Sequence, residues 1–116
     1  MPQITVDYSA SLDEAFDPRG YARALHPVVV ETVAARTAAC KTRTRRTEDT
    51  VVGDGTGDDA LVHVEIALLA GRTDEAKARL GEAAAALVRD FLKPVDGVTV
   101  HVSAEVRDLD ASYRNG

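Results

Sequence analysis

The 116-residue sequence predicts an α/β fold, classed as α+β in some schemes, with two β-α-β units in one four-stranded mixed sheet. Two observations support this prediction. A strand–helix–strand order occurs twice, in halves of about equal length, and each half begins with a strand that leads into a helical pattern. Because crossover helices between parallel strands stay on one side, we expect both helices on one face of the sheet. A single domain is predicted over residues 1–116, with halves at about 2–52 and 60–109.

The first half begins with a strand over residues 3–8, in which apolar residues occupy every second position. Asp17 and Pro18 then form a typical helix start, an N-cap residue followed by proline at the first helical position. Apolar residues continue at helical spacing beyond Pro27, which removes one backbone hydrogen bond. We therefore expect a kink at Pro27, or a helix that ends near His26 and is followed by a second short helix.

The connection between the halves is predicted from composition. Residues 39–52 have strand character, and residues 53–59 are rich in glycine and aspartate, which is typical of a loop. We interpret this loop as a hairpin, because it lacks the spacing and the closing glutamate of an EF-hand calcium loop. Residues 60–69 follow as an apolar strand.

The second half continues with a helix over residues 73–92, which Thr73 can cap. A strand with alternating valines follows over residues 98–106. The polar residues 110–116 are expected to fray. The predicted buried stripe of the helix consists of Ala76, Leu80, Ala83, Leu87 and Phe91.

Composition restricts the classes of function. The net charge of −5 argues against nucleic-acid binding, which needs a basic surface. The single cysteine, Cys40, excludes an internal disulfide, and no pair of His or Cys residues has the spacing of a metal site. No signal peptide or membrane span is recognisable, so a cytoplasmic protein without membrane partners is expected. Large side chains are scarce, so we expect an oligomer that buries further apolar surface.

Cations are concentrated on the second strand. With a period of two, Lys41, Arg43 and Arg45 point to one side of the sheet, and Arg46 points to the other. Arginine binds carboxylates in a bidentate manner, so this face is a candidate site for a small carboxylate substrate. Two alternatives stay open: protection of a sheet edge, and ordinary pairing with acidic residues.

A further cation follows the strand over residues 60–69. Gly71 and Arg72 form a turn into the next helix, where a guanidinium beside free N–H groups favours anions, although a solvated arginine is the commoner case. The histidines are weaker candidates. His63 is expected to be packed and hydrogen-bonded, His101 lies on a polar strand face, and His26 can face either way.

The second residue, Pro2, is a candidate general base. Methionine aminopeptidase normally removes Met1 when the next residue is small, which leaves Pro2 with a free secondary amine. An α-amino group titrates at about 7.7–8.0, and desolvation or nearby cations lower this pKa further. Such an amine can be neutral at working pH and can move protons. The alternative is a proline that only starts a strand.

These features together resemble the tautomerase superfamily and, within it, the 5-carboxymethyl-2-hydroxymuconate isomerases. The resemblance extends over most of the chain. Its most specific element is the strand with Val-His that leads into Gly-Arg-Thr. The matching segments are Met1-Pro2, His26-Pro27, Lys41-Thr42-Arg43, Leu61-Val62-His63-Val64 and Gly71-Arg72-Thr73.

The resemblance implies a homotrimer with the sheets facing its centre, and a cofactor-independent isomerase that acts in the degradation of aromatic compounds. It implies that Pro2 carries a proton within a small unsaturated 2-hydroxy or 2-oxo acid, a keto-enol tautomerisation, with Arg72 as the second catalytic residue. The other arginine of the family falls at Lys41, with Arg43 two residues further on. Either Lys41 serves as a point charge, Arg43 takes over, or the substrate differs.

Two alternatives to isomerisation remain open. Relatives with this scaffold add water to unsaturated or halogenated acids and use a carboxylate base, for which Glu105 is the candidate. Alternatively, the chain is a catalytically silent trimeric binding protein. Retention of Met1 would favour this second alternative, because it would hold the Pro2 nitrogen in an amide.

Overall fold

Four strands and two helices make up the computed structural model, which describes residues 1–116 and has the predicted element order. Short 3₁₀ turns precede the first helix and the second strand. Neither helix is long and apolar enough to cross a membrane. The strands are β1 (Gln3–Ser9), β2 (Lys41–Thr47), β3 (Asp59–Leu68) and β4 (Thr99–Asp108), and the helices are α1 (Pro18–Val33) and α2 (Asp74–Asp90).

The sheet is mixed, as predicted, with the strand order β2-β1-β3-β4. Each half supplies a parallel pair, β1 with β2 and β3 with β4, and the halves meet where β1 and β3 pair antiparallel. The hairpin interpretation of residues 53–59 is wrong, because β2 and β3 lie on opposite sides of β1. The loop crosses the sheet instead, and composition alone does not distinguish a crossover from a hairpin.

The two faces of the sheet differ in character. Alternate residues of β1 and β3, among them Ile4, Val6 and Val64, are fully buried in one core with α1 and α2. The Tyr21 hydroxyl donates to the Ala84 carbonyl at 2.9 Å and joins the two helices. We call the opposite, helix-free side the open face. Its polar side chains include Gln3, Thr5, Asp7, Arg43, Arg45, His63, Glu65, Ser103, Glu105 and Arg107.

Helix α1 continues through Pro27, so the alternative in which it ends near His26 is wrong. Asp17 caps its start, accepting a hydrogen bond from the Gly20 N–H at 3.0 Å. The helix ends at Ala34, whose φ of 55° is left-handed. The buried residues Tyr21, Leu25, Val29 and Val33 lie along one side of the helix, and their packing outweighs one missing backbone hydrogen bond.

Helix α2 has the predicted cap but a shifted buried stripe. The Thr73 hydroxyl accepts from the Ala76 N–H at 3.1 Å. The fully buried positions are Leu80, Ala84 and Val88, whereas Ala83, Leu87 and Phe91 are only partly buried. The small Ala84 lies where α1 approaches, so the helix is rotated by about one residue from the predicted orientation.

Two predicted boundaries need correction. The second strand covers only Lys41–Thr47 rather than residues 39–52, because a 3₁₀ turn precedes it and Val51 is 70% exposed beyond it. The expectation that residues 110–116 fray is also wrong. Leu109 donates its N–H to the Leu68 carbonyl at 2.6 Å, and the residues that follow form a hydrogen-bonded turn.

Candidate active site

Pro2 lies buried at the amino end of β1, where three parts of the chain meet. Its carbonyl accepts a hydrogen bond from the Lys41 N–H at 3.1 Å, which ties it to the start of β2. Gln3 pairs with Ala67 near the end of β3, because β1 and β3 are antiparallel. The turn with Arg72 follows β3, so the fold brings the start of β1, the start of β2 and this turn to one end of the sheet.

The amino group of Met1, which adjoins Pro2, lies in a positively charged environment. Partial burial lowers its pKa below the ordinary value of 8.0, and the charges of Arg72, Lys41 and Arg36 lower the pKa further. Cys40 acts in the opposite direction and is a smaller influence than Arg72. The structure thus brings Arg72 and Lys41 to the amino end of β1, together with a third cation that the sequence did not suggest.

Arg72 is half-buried and held by backbone carbonyls. Its Nε donates to the Val33 oxygen at 3.2 Å and its Nη1 to the Leu69 oxygen at 3.1 Å. The sequence led us to expect this guanidinium beside the free N–H groups at the start of α2. It lies instead against the carbonyls of Val33 and Leu69. The last carbonyls of α1 lack helical partners and carry the negative end of the helix dipole, which attracts a cation. Gly71, with a φ of 120°, allows the turn that aims Arg72 this way.

The cations of β2 share one side of the strand, because Lys41, Arg43 and Arg45 pair in register with Gln3, Thr5 and Asp7. They differ in how much of their hydrogen-bonding capacity is used. Arg45 forms a bidentate pair with Asp7 at 2.8 and 3.2 Å. Arg43 donates to Gln3 Oε1 at 2.6 Å and to Thr5 Oγ1 at 3.4 Å. Lys41 has only a long contact of 3.5 Å, from its Nζ to the Ala39 oxygen. Lys41 is therefore the least occupied of the three.

Arg36 is the residue that the sequence did not reveal. It precedes the 3₁₀ turn between α1 and β2, and its carbonyl accepts from the Ala39 N–H at 3.0 Å. Its side chain is exposed and has no hydrogen-bond partner within the chain. The connection between α1 and β2 consists mainly of alanine and threonine around Arg36, and it shows no helix or strand period. Only the tertiary fold places this charge near the amino group.

The remaining titratable candidates are occupied elsewhere. His63 shares a hydrogen bond of 2.7 Å with Ser103, as expected for a packed histidine, and His101 bonds Asp59 at 2.8 Å. His26 contacts the Thr42 hydroxyl at 2.8 Å, and burial lowers its pKa. No three His, Cys, Asp or Glu side chains come together as a metal site.

Glu105 lies two strands away from β1. It stands in register with Glu65 of β3, on the edge strand β4. Within one chain it is therefore separated from Pro2 by the whole width of β3.

The site is open in a single chain. Three surface cavities are present, two beside the carboxyl end of α2 and one between α2 and β4. None of them is lined by Pro2, Lys41, Arg43 or Arg72. A small substrate bound at the amino end of β1 would lack walls on several sides. A single copy of the chain therefore does not enclose a ligand at this position.

The sequence model of the 5-carboxymethyl-2-hydroxymuconate isomerase family matches residues 2–115. No curated protein matches the chain. Among solved structures, a 5-carboxymethyl-2-hydroxymuconate isomerase from Deinococcus radiodurans R1 is similar, with 22% identity, a TM-score of 0.80, and coverage of 99% of this chain and 89% of that one. A 5-carboxymethyl-2-hydroxymuconate delta-isomerase has 19% identity, a TM-score of 0.79, and coverage of 100% and 87%. A fused 4-OT wild-type symmetric trimer has 23% identity, a TM-score of 0.74, and coverage of 98% and 90%.

Proposed function

Because the chain belongs to the 5-carboxymethyl-2-hydroxymuconate isomerase family, we propose that it is a keto-enol tautomerase for a small unsaturated 2-hydroxy or 2-oxo carboxylic acid. Family membership supports an isomerase. One observation supports the proposed site: Pro2 is buried at the amino end of β1, and the pKa of the adjoining Met1 amino group is lowered by burial and by Arg72, Lys41 and Arg36. A base of near-neutral pKa and fixed cations are the two requirements of enol–keto isomerisation.

In the proposed mechanism, removal of Met1 leaves Pro2 as a neutral secondary amine. The amine accepts the proton of the substrate's enol hydroxyl, and the electron pair of the O–H bond forms the carbonyl. The double bond moves, and the protonated Pro2 returns the proton to a carbon of the conjugated system. Substrate and product are isomers, so the amine ends in its starting state and no other reactant is required.

The cations have two proposed roles. Arg72, oriented by its bonds to Val33 and Leu69, retains three N–H donors for a substrate carboxylate or for the enolate oxygen. Lys41 is proposed as the second binding charge in preference to Arg43, whose guanidinium already contacts Gln3 and Thr5. A lysine acts as a point charge without a bidentate fork, and the exposed Arg36 can provide that fork from the neighbouring turn.

The test of the proposed base begins with the intact mass of the protein from its native source, which shows whether Met1 is removed. The variant Pro2→Ala and a form with one extra, uncleaved residue before Pro2 are then assayed on 2-hydroxymuconate-type and phenylenolpyruvate-type enols. We expect the extended form to lose about 10²- to 10⁴-fold in kcat, because its nitrogen is an amide. Full activity in Pro2→Ala would contradict a specific role of the secondary amine.

The same measurements address the alternatives. Retained Met1 together with inactivity on both enols would favour a catalytically silent binding protein. Release of halide from 3-haloacrylates would favour the water-adding alternative. The water-adding alternative needs a carboxylate base near Pro2. Within one chain Glu105 is separated from β1 by β3, which does not support that alternative.

A homotrimer is part of the proposal, with the open face of each sheet toward the centre. The absence of a cavity at Pro2 in one chain supports it, because a neighbouring copy would supply the missing walls. The similar fused 4-OT structure, which is a symmetric trimer, also supports it.

A further inference from the structure

The C-terminal segment, defined here as residues 109–116, begins beside the anchor of Arg72. The Leu109 N–H donates to the Leu68 carbonyl at 2.6 Å. The next carbonyl of the chain, that of Leu69, accepts from Arg72 Nη1 at 3.1 Å. The segment and the Arg72 side chain are therefore attached to adjacent peptide groups at the end of β3.

Tyr113 fixes the other end of the segment to the side chain of Gln3, the residue that follows Pro2. Its hydroxyl accepts from Gln3 Nε2 at 3.0 Å and donates to Asn115 Oδ1 at 3.1 Å. A turn between the two anchors is closed by the Tyr113 N–H, which donates to the Asp110 oxygen at 3.0 Å. Because Gln3 directly follows Pro2, the segment extends from the anchor of Arg72 to the residue after the proposed base.

Arg43 holds the amide of Gln3 in the orientation that this contact needs. Its Nη2 donates to Gln3 Oε1 at 2.6 Å, a hydrogen bond from a charged donor. With Oε1 held in this way, the opposite end of the amide, Nε2, points to Tyr113. Arg43 therefore acts on the C-terminal segment through Gln3.

We propose that the C-terminal segment is one wall of the site at Pro2 and that Tyr113 is a specificity-determining residue, with Gln3 and Arg43 as positioning residues. The inference rests on the proposed function. A wall fixed on the open-face side of Pro2 accepts slender aliphatic enol acids and disfavours aryl-substituted ones. This assigns to Arg43 a role in shaping the site rather than in binding the substrate carboxylate.

The first test compares kcat/KM for a 2-hydroxymuconate-type enol and a phenylenolpyruvate-type enol. In Tyr113→Phe and in Arg43→Ala, the preference for the aliphatic enol falls by about 3- to 10-fold, the equivalent of one lost hydrogen bond. The change arises from a lower KM for the aryl enol. The matched control is Tyr8→Phe, which loses a 3.0 Å hydroxyl contact to Asp13 at the far end of β1 and keeps the parent ratio.

The second test measures hydrogen–deuterium exchange in residues 109–116, which needs no substrate. We expect faster exchange in Tyr113→Phe and Arg43→Ala than in the parent chain and Tyr8→Phe. An unchanged substrate ratio, or exchange equal to that of the parent, overturns the proposal. If the parent converts neither enol, the proposed function fails, and the exchange rates by themselves then decide whether Gln3 and Arg43 hold the segment.

Discussion

Three positive charges act on the Met1 amine at the amino end of β1, and they lie near the Pro2 nitrogen that becomes the amine when Met1 is removed. Arg72, Lys41 and Arg36 repel its protonated form, and none of them forms an ion pair with a carboxylate of the chain. In the proposed enzyme the neutral amine is the active species. The same charges therefore have two effects: they keep the base unprotonated, and they attract an anionic substrate.

The pH dependence of activity follows from the direction of this pKa shift. A base must be unprotonated to act, so kcat/KM rises with pH through the pKa of the amine and levels off above it. Burial and the same cations lower the pKa of the neighbouring Met1 amino group, and we expect them to lower the pKa of the Pro2 amine too, so that the rise is centred below the ordinary pKa of an α-amino group. In Arg36→Ala the repulsion is weaker and the pKa is higher, so the rise moves to higher pH. The measurement is the pH profile of kcat/KM.

The control for this prediction is Arg19→Ala. Arg19 is also exposed, but it lies in the first turn of α1, whereas Arg36 follows the end of that helix. Sixteen helical residues separate the two ends by about 24 Å, which is beyond the Debye length at physiological salt. A profile that moves equally in both variants, or in neither, would show that Arg36 does not act on the base.

The sequence offered Pro2, Lys41 and Arg72 as candidates because each belongs to a local pattern: the position after Met1, the period of a strand, and a turn that begins with glycine. It did not identify Arg36 or Tyr113. Both lie in irregular segments, and each comes near the amino end of β1 only in the folded chain, Tyr113 through its hydrogen bond with Gln3 and Arg36 through its charge on the Met1 amine. Local patterns contain no information about such contacts, so these parts of the site needed the folded structure.

At the scale of elements, the predictions succeeded where burial imposes a period. β1 and β3 alternate because one face is under the helices, and their bounds differ from the predicted ones by only one residue. β2 is an edge strand with almost no buried side chains, and there the predicted bounds were too long. The wrong interpretation of residues 53–59 as a hairpin has a related cause. The composition of a loop does not indicate whether another strand, here β1, lies between the two strands that the loop connects.

Helix α1 offers a prediction about stability at Pro27. Proline in a helix interior costs about 3 kcal/mol of stability relative to alanine, which Pro27→Ala would recover. Proline also restricts the unfolded chain, and the loss of that restriction offsets about 0.4–1 kcal/mol of the recovered stability. Pro27 is exposed, so its replacement leaves no cavity. We expect Pro27→Ala to raise the free energy of unfolding by about 2–2.6 kcal/mol, measured by urea denaturation.

Pro18→Ala is the matched control for Pro27→Ala. Pro18 occupies the first helical position, where a missing N–H breaks no helical bond. This variant should therefore be no more stable than the parent and slightly less stable through the unfolded chain. If Pro27→Ala is no more stable than the parent, the prediction is wrong. Packing contacts of Pro27 would then offset the cost of its missing hydrogen bond.

At the scale of the whole molecule, the open face and the open site lead to the same expectation. One side of the sheet carries no helix, and several of its charged groups form ion pairs, such as Arg45 with Asp7 and Arg107 with Glu65, whereas Lys41 and Glu105 have no ion-pair partner in the chain. The paired groups of such a face can approach another copy, and Lys41 and Glu105 would then take partners from that copy or from a ligand. The residues at Pro2 lie at one end of this sheet and have no enclosing cavity in one chain.

The last prediction is therefore that assembly and activity are lost together. Analytical ultracentrifugation should give a mass three times that of the 12.4 kDa chain, and dilution below the dissociation range should give single chains. Because a second copy completes the walls at Pro2 in the proposed trimer, activity per chain should fall over the same range of concentration. Full activity in a sample that sediments as single chains would show that one chain encloses its substrate unaided. A stable trimer whose activity per chain still falls on dilution would place the cause outside assembly.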